Sequence, residues 1–277
     1  MKHEFVFLTT SHNQFSQVRD LYSQLREKID REFSMVCVES ASGGDYSWLP
    51  SCGFHLLKTH HESFWAESNA LGLDFVFSNF GDSHFHLIMI NCDVRLSDWK
   101  ILCGLETGLY TFYTVSAGHI GRSGYSFANR FIASHRHSRL GQKYDSRMSV
   151  DSVDIVPTRL VFISACKLNR IQKIRPRYKR LPHYGSDYVF TFEVGRLLGE
   201  LWVILPWACI LEDVSTTGSK SSNGSLLVRS RLFFDKRSVF RLRDRFWYAY
   251  YVSDGNPFYI VASLFKLVVQ VYAKTSR

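Results

Sequence analysis

Three short stretches place oxygen-bearing side chains where apolar runs end. The run "FVFLTT", Phe5 to Thr10, opens into Ser11, His12 and Asn13. The run "FSMVCVES" ends on Glu39 and passes into Ser42, and "FHLIMINCD" ends on Asn91 and Asp93. A carboxylate in such a place can accept hydrogen bonds from hydroxyls or amides. It can also hold a hard divalent cation, which prefers oxygen ligands and keeps several waters. It can equally do no more than cap the next turn. A fourth carboxylate, Asp187 in "LPHYGSDYVF", falls in the first turn of a patterned helix. There it could take a proton from a hydroxyl group or merely answer the helix dipole, which is expected to lower its pKa.

The elements that would position these groups follow from periodicity. Apolar residues at Phe15, Val18, Leu21, Tyr22, Leu25 and Ile29 have helical spacing, between two strand-like runs, so the first forty residues read as a parallel βαβ unit. "FHLLKT" predicts a third strand and "ESFWAESNALGL" a helix with Phe64, Trp65, Ala70 and Leu73 inward. "FHLIMINCD" predicts a fourth strand and "LYTFYTVSAG" another. In open parallel sheets ligands bind beyond the carboxyl ends of the strands, which is where the first three polar clusters would gather. Residues 118–149, rich in Gly, Ser, His and Arg, read as a long loop facing a substrate. Ser186 reads as an N-cap and Gly199 as a helix terminator. Residues 215–225, "STTGSKSSNGS", read as a linker.

The chain has 277 residues and a formal net charge of +9, which favours anionic partners without choosing among them. Its six cysteines form no C-x-x-C pair, which fits reduced thiols in the cytoplasm. No apolar segment has the length of a membrane span. Motifs for P-loop nucleotide binding, dinucleotide binding and serine hydrolysis are missing. His84 and His86 share one strand face but lack partners at metal-ligand spacing. The tail from Leu226 interleaves basic and aromatic residues. Leu232, Phe233, Val239, Phe240, Phe246 and Trp247 are spaced for an amphipathic helix that could meet an anionic membrane surface or pack on the main domain.

Four segments together resemble the family-two glycosyltransferases of bacterial surface-polysaccharide assembly. They are "FVFLTTSHN", "VCVESAS", "FWAESNALGL" with "IMINCDV", and "VDIVPTRLVFIS" with "RLPHYGSDYVFT". The last is close to a segment of one bacterial subgroup and is the most specific; together they cover roughly residues 4–218. The resemblance implies an α/β GT-A fold, a mixed and mostly parallel sheet flanked by helices. Residues 1–218 would form that domain and 219–277 a helical, basic and aromatic extension. It implies transfer of a sugar from a nucleotide-diphosphate donor to a glycan or lipid-linked acceptor, with inversion. Asp93 would hold Mg²⁺ or Mn²⁺. Thr9, Ser11, Asn13, Glu39, Ser42, Asn69 and Asn91 would line the donor site, Asp187 would be the general base, and His183 and Arg196 would face the acceptor. Two departures stand out: Asn91 replaces the family's first motif aspartate, and Glu193 replaces an arginine. The location implied is cytoplasmic, at the inner face of the cell membrane if the tail binds lipid, with no nucleic-acid partner expected. Two other readings remain open: a nucleic-acid-binding module, prompted by the basic aromatic tail, and a transferase-like scaffold without activity.

Overall fold

A computed structural model describes residues 4–41, 45–49, 53–60, 63–81, 84–105, 107–129, 131–182, 184–211, 230–235, 238 and 240–273. The first half alternates strand and helix. β1 (Glu4–Ser11), α1 (Phe15–Lys28), β2 (Phe33–Glu39), β3 (Phe54–Lys58), α2 (Trp65–Phe80) and β4 (Phe85–Ile90) come in that order. Short β5 (Arg95–Leu96) and a 3₁₀ turn at Lys100–Gly104 lead to β6 (Leu109–Ser116), β7 (His119–Ile120), β8 (Tyr125–Asn129), β9 (Ser134–His137) and β10 (Asp151–Val153). Then follow β11 (Leu160–Ile163), α3 (Ala165–Ile171), α4 (Ser186–Leu198), β12 (Trp202–Leu211), α5 (Leu242–Val252) and α6 (Pro257–Ala273).

The main sheet runs β10-β12-β6-β11-β4-β1-β2-β3, with β5 beside β12 and β7 beside β6. β3, β2, β1 and β4 are parallel, whereas β11 runs antiparallel to both of its neighbours, β4 and β6. The strands of the parallel half are apolar at nearly every position because both faces are covered. On one face Val18, Leu21 and Leu25 of α1 pack with Phe5, Phe7, Ile88 and Ile90. On the other, Leu73 and Val76 of α2 and Phe190 and Val194 of α4 pack with Val6, Leu8, Val36 and Met89. Gly72 sets the approach of α2: a Cβ there would lie 2.3 Å from Leu8 Cδ1 and 3.1 Å from Val38 Cγ2.

Residues 118–149 are more ordered than their composition predicts. β7 joins the main sheet, and β8 and β9 form an antiparallel hairpin of their own. Its strands carry Ser, His and Arg, so apolar alternation is absent. Aromatic packing holds it instead: Tyr125 and Phe127 stack with Tyr188 and Phe192 of α4 and with Tyr259 of α6.

The final helices pack on the domain. Tyr248, Ala249 and Val252 of α5 and Tyr259 of α6 join one buried cluster with Tyr125, Ile155, Val189 and Phe192. The tail's inward side thus belongs to the main body, at least over these residues. The expected linker at 215–225 lies outside the described residues.

Candidate functional site

Parallel pairing brings the three predicted strand ends to one edge. Ser11 is level with Glu39 across β1 and β2, and Leu8 with Met89 across β1 and β4. Beyond β4 the chain turns at once, with the Val94 N–H donating to the Asn91 carbonyl at 3.1 Å. That turn exposes Asp93, half-buries Asn91 and buries Cys92. The Cys92 thiol touches Gln14 Oε1 at 3.3 Å, tying the turn to the start of α1. Burial, and then the Asp93 charge, push that thiol up to about 12, so it is an inert packing group. No hydrogen bond or ion pair from the described residues occupies the Asp93 carboxylate. It stands open at the edge with the Asn91 amide beside it in sequence. An open carboxylate and a neutral amide form a hard-oxygen donor set of the kind Mg²⁺ or Mn²⁺ accepts when phosphate and water complete the shell.

Glu39 behaves differently. It is 1 % exposed, and one of its oxygens accepts the Ala41 N–H at 2.7 Å and the Asn13 N–H at 3.3 Å. The other accepts the Tyr46 hydroxyl at 2.6 Å. The carboxylate therefore fastens the loops after β1 and β2 together. Thr9 and Ser11 are buried as well, and the Thr9 hydroxyl has no hydrogen-bond partner among the described residues. Asn69 is buried in α2, donating to the Trp65 carbonyl at 2.9 Å. Of the predicted donor-lining groups, Asn13 is exposed, with a left-handed backbone (φ 58°), and Asn91 is half-buried. Thr9, Ser11, Glu39 and Asn69 lie at or near the same edge but point inward. Ser42 and His183 lie outside the described residues.

Asp187 opens α4. Gly185 makes the N-terminal bend at φ 85°, and its missing Cβ would lie 3.4 Å from the Tyr248 ring. The cap is thus Gly185, and Ser186 is the first helical residue, with a buried hydroxyl that lacks a hydrogen-bond partner among the described residues. The "LPHYG" bend also meets α2, whose Ala66 N–H donates to the Pro182 carbonyl at 3.3 Å. The expected lowering of the Asp187 pKa does not occur. Burial raises it to about 6, outweighing the N–H groups of Tyr188 and Asp187, the Arg159 charge and the Gly185 N–H.

Arg159 links the two carboxylate regions. Its carbonyl accepts the Asn91 N–H at 2.9 Å, and its guanidinium lies near enough to Asp187 and Tyr188 to favour their anionic forms. Sequence reading passed over it. Because β11 is antiparallel to β4, its first residues sit at the carboxyl end of β4; in an all-parallel sheet they would be at the far edge. Arg122, also missed, acts on both Tyr188 and His137.

Between the β8–β9 hairpin and β10 lies a cavity of about 550 Å³. Ser126, Arg136, His137, Ser138, Gln142 and Ser152 are among its walls. Arg139 closes one side through paired bonds to Asp151, both 3.1 Å. Burial, and then Arg122, lower the His137 pKa, and its buried Nδ1 has no hydrogen-bond partner among the described residues. The cavity is separated from α4 by one aromatic layer: Tyr125 lies 5.4 Å from the His137 ring and 5.6 Å from Tyr188.

The other predicted groups are engaged elsewhere. Arg196 is nine residues along α4 from Asp187, roughly 13 Å, and pairs with Asp254. Glu193 is buried and holds Arg177 at 2.6 Å. The basic run from Lys167 to Arg180 is largely consumed by such contacts: Lys167 with Glu200, Arg175 with Asp74, and Arg180 over the Trp247 ring. His86 is a core residue whose Nδ1 accepts the Ala165 N–H at 3.3 Å.

No protein-family model matches the chain, and no curated protein does. Solved structures do. GalNAc-T7, crystallised with UDP, GalNAc and Mn²⁺, aligns with a TM-score of 0.57 at 11 % identity, over 99 % of this chain. The chain spans 57 % of the length of that protein chain. Residues 1–349 of S. aureus TarS align with a TM-score of 0.56 at 9 % identity, covering 98 % of this chain and 73 % of that one. At such identities the likeness concerns the fold.

Proposed function

We propose, on the premise that this chain has the GT-A fold of glycosyltransferases, that it transfers a sugar from a nucleoside-diphosphate donor to an acceptor hydroxyl. The observation that carries the reading is Arg159, whose carbonyl holds the Asn91 N–H at the turn bearing Asp93 and whose guanidinium favours the Asp187 anion. Asp93 is open at the end of β4, and Asp187 is half-buried with its pKa raised to about 6.

Asp93, with Asn91, would hold Mg²⁺ or Mn²⁺, which when bound screens the negative charge of the departing diphosphate. Asn13 and the turn fastened by Glu39 form the wall for the nucleoside. Glu39 positions that wall rather than touching the donor. Asp187 accepts the proton of the acceptor hydroxyl as its oxygen bonds the anomeric carbon and the carbon–diphosphate bond breaks. A carboxylate with a pKa near 6 is ionised at neutral pH yet more basic than an ordinary one. One base on the acceptor side suits a single displacement with inversion. Arg159 favours the Asp187 anion before the proton arrives. The cavity on the far side of Tyr125 has hydroxyl, amide and guanidinium walls suited to sugar units of a glycan acceptor beyond the one that reacts at Asp187. The resemblance of four segments to polysaccharide-assembly transferases supports a surface-glycan acceptor.

The test is release of nucleoside diphosphate from UDP-, GDP- or dTDP-sugars in the presence of an oligosaccharide panel. Turnover with one donor, abolished in Asp187→Asn, is expected. Turnover unchanged by that substitution would remove Asp187 from the reaction.

A further inference from the structure

The β8–β9 hairpin has two unlike faces. Register sets Tyr125 opposite His137 and Phe127 opposite His135, and Tyr125 and Phe127 pack against α4 and α6. Between these pairs Ser126 stands opposite Arg136, so strand alternation turns both side chains to the other face. That face walls the cavity together with Ser152 and Val153 of β10. Gly124 lets the two walls approach: a Cβ there would lie 2.8 Å from Val153 Cγ2 and 3.0 Å from the Ile155 carbonyl oxygen. The charges on the walls do not cancel. Asp151 is the acid among them and is spent: Arg139 donates to both of its oxygens at 3.1 Å, and the Ser138 hydroxyl donates to one of them. The next acid along the chain, Asp154, accepts the Phe127 N–H at 3.0 Å. Arg136 makes no hydrogen bond or ion pair with the described residues, and neither does Arg122, which precedes the hairpin. Arg122 acts both on His137 in the cavity wall and on Tyr188, the neighbour of Asp187 in α4. Its charge thus reaches from the cavity to the start of that helix.

We infer that Arg136 and Arg122 bind an oxyanion, a carboxylate or phosphate group, carried by the acceptor on a unit beyond the one that reacts, so that the acceptor is an acidic glycan. The inference rests on the transferase reading of Asp187 and supplies the acceptor class that reading leaves open. A guanidinium presents a planar fork of donors that matches a carboxylate or a phosphate, and such bonds are the stronger for being charged on both sides. A neutral glycan filling the same space would strip water from two cations and give no charge in return. The donor's own diphosphate is not the anion in question. β10 lies four places along the sheet from β4, where Asp93 stands, and four strand spacings are roughly 19 Å. The cavity's volume, about 550 Å³, is within the roughly 300–1,000 Å³ of small-ligand sites and leaves room for a sugar ring with its charged group. The Ser126 and Ser152 hydroxyls and the Gln142 amide supply neutral partners for the ring.

The experiment is calorimetric titration of the full chain, without donor, at about 0.15 M salt so that diffuse attraction is screened. The probes are an oligogalacturonate, its neutral methyl ester and an oligomer of glycerol phosphate. The wild type should bind one of the two anions at least about tenfold more tightly than the ester. The tighter of the two identifies the source of the charge, carboxylate or phosphate. Arg122→Gln/Arg136→Gln should lower that affinity about tenfold and leave the ester unaffected. Both side chains are exposed, and an unchanged melting temperature will show that the variant folds. Because the whole chain carries +9, Arg26→Gln/Lys173→Gln removes the same charge from exposed sites on α1 and after α3. That control should change the affinity by less than about twofold. Equal binding of acid and ester, no binding of either anion, or an equal loss in the control would overturn the inference. Release of nucleoside diphosphate is scored separately on the same proteins. Anion binding without turnover counts against sugar transfer alone, and turnover on neutral acceptors without anion binding counts against this inference alone.

Discussion

The backbone N–H of Asn91 donates to the carbonyl of Arg159 at 2.9 Å, while the Arg159 guanidinium acts on Asp187. One residue thus belongs to both sides of the site. Its carbonyl continues the β4–β11 ladder to the turn that presents Asp93. Its side chain offsets part of the cost of burying the Asp187 charge.

That cost gives the first prediction. Because folding raises the Asp187 pKa from the ordinary carboxylate range to about 6, Asp187 favours the folded state at low pH. That advantage is lost as pH rises through 6. Asp187→Asn removes the ionisation. It should therefore stabilise the protein at pH 8, by up to roughly 3 kcal/mol, and by much less near pH 4. Turnover should fall by about 10²- to 10⁴-fold. Urea denaturation at the two pH values, with an activity assay, checks both halves.

Arg159→Met should move the pH profile. Removing the cation withdraws a term that favours the Asp187 anion, so the acidic limb of kcat/KM, expected near pH 6 in the wild type, should shift to higher pH. A profile that falls in height with its limb unmoved would show that Arg159 acts only on binding.

Glu39→Gln separates positioning from contact. Glu39 accepts two N–H groups and a hydroxyl and is almost wholly buried. An amide has one acceptor oxygen, so part of that network fails, at a stability cost of about 1–3 kcal/mol. The donor KM should rise as the wall loosens, with kcat little changed. Hydrogen exchange at Asn13 and Ala41 should quicken, a readout that direct donor contact would not require.

The parallel half of the fold was legible because buried strands and amphipathic α1 carry strong periodic signals, and the polar strand ends mark one edge. The β8–β9 hairpin was not, because Ser134, His135, Arg136 and His137 offer no apolar alternation; its stability comes from aromatic partners far away in sequence. Arg159 was hidden by strand direction, which periodicity does not encode. The place of Asp187 in a first helical turn is legible, but the sign of its pKa shift is not: the helix N-terminus is visible locally, whereas the burial that outweighs it is made by distant packing. Glu39 and Thr9 were placed at the correct edge, yet which way a strand-end side chain turns depends on neighbours such as Tyr46.

If Asp93 anchors a metal-dependent donor site, ligand-induced thermal shift will report it. UDP-, GDP- and dTDP-sugars are offered with and without Mn²⁺ to the wild type and to Asp93→Ala, whose exposed position spares the fold. A ligand that binds only the native state raises the melting temperature by mass action. A rise with one nucleotide class is expected, one that needs Mn²⁺ and vanishes in Asp93→Ala. A rise of equal size in the variant, or none with any donor in the wild type, would contradict it.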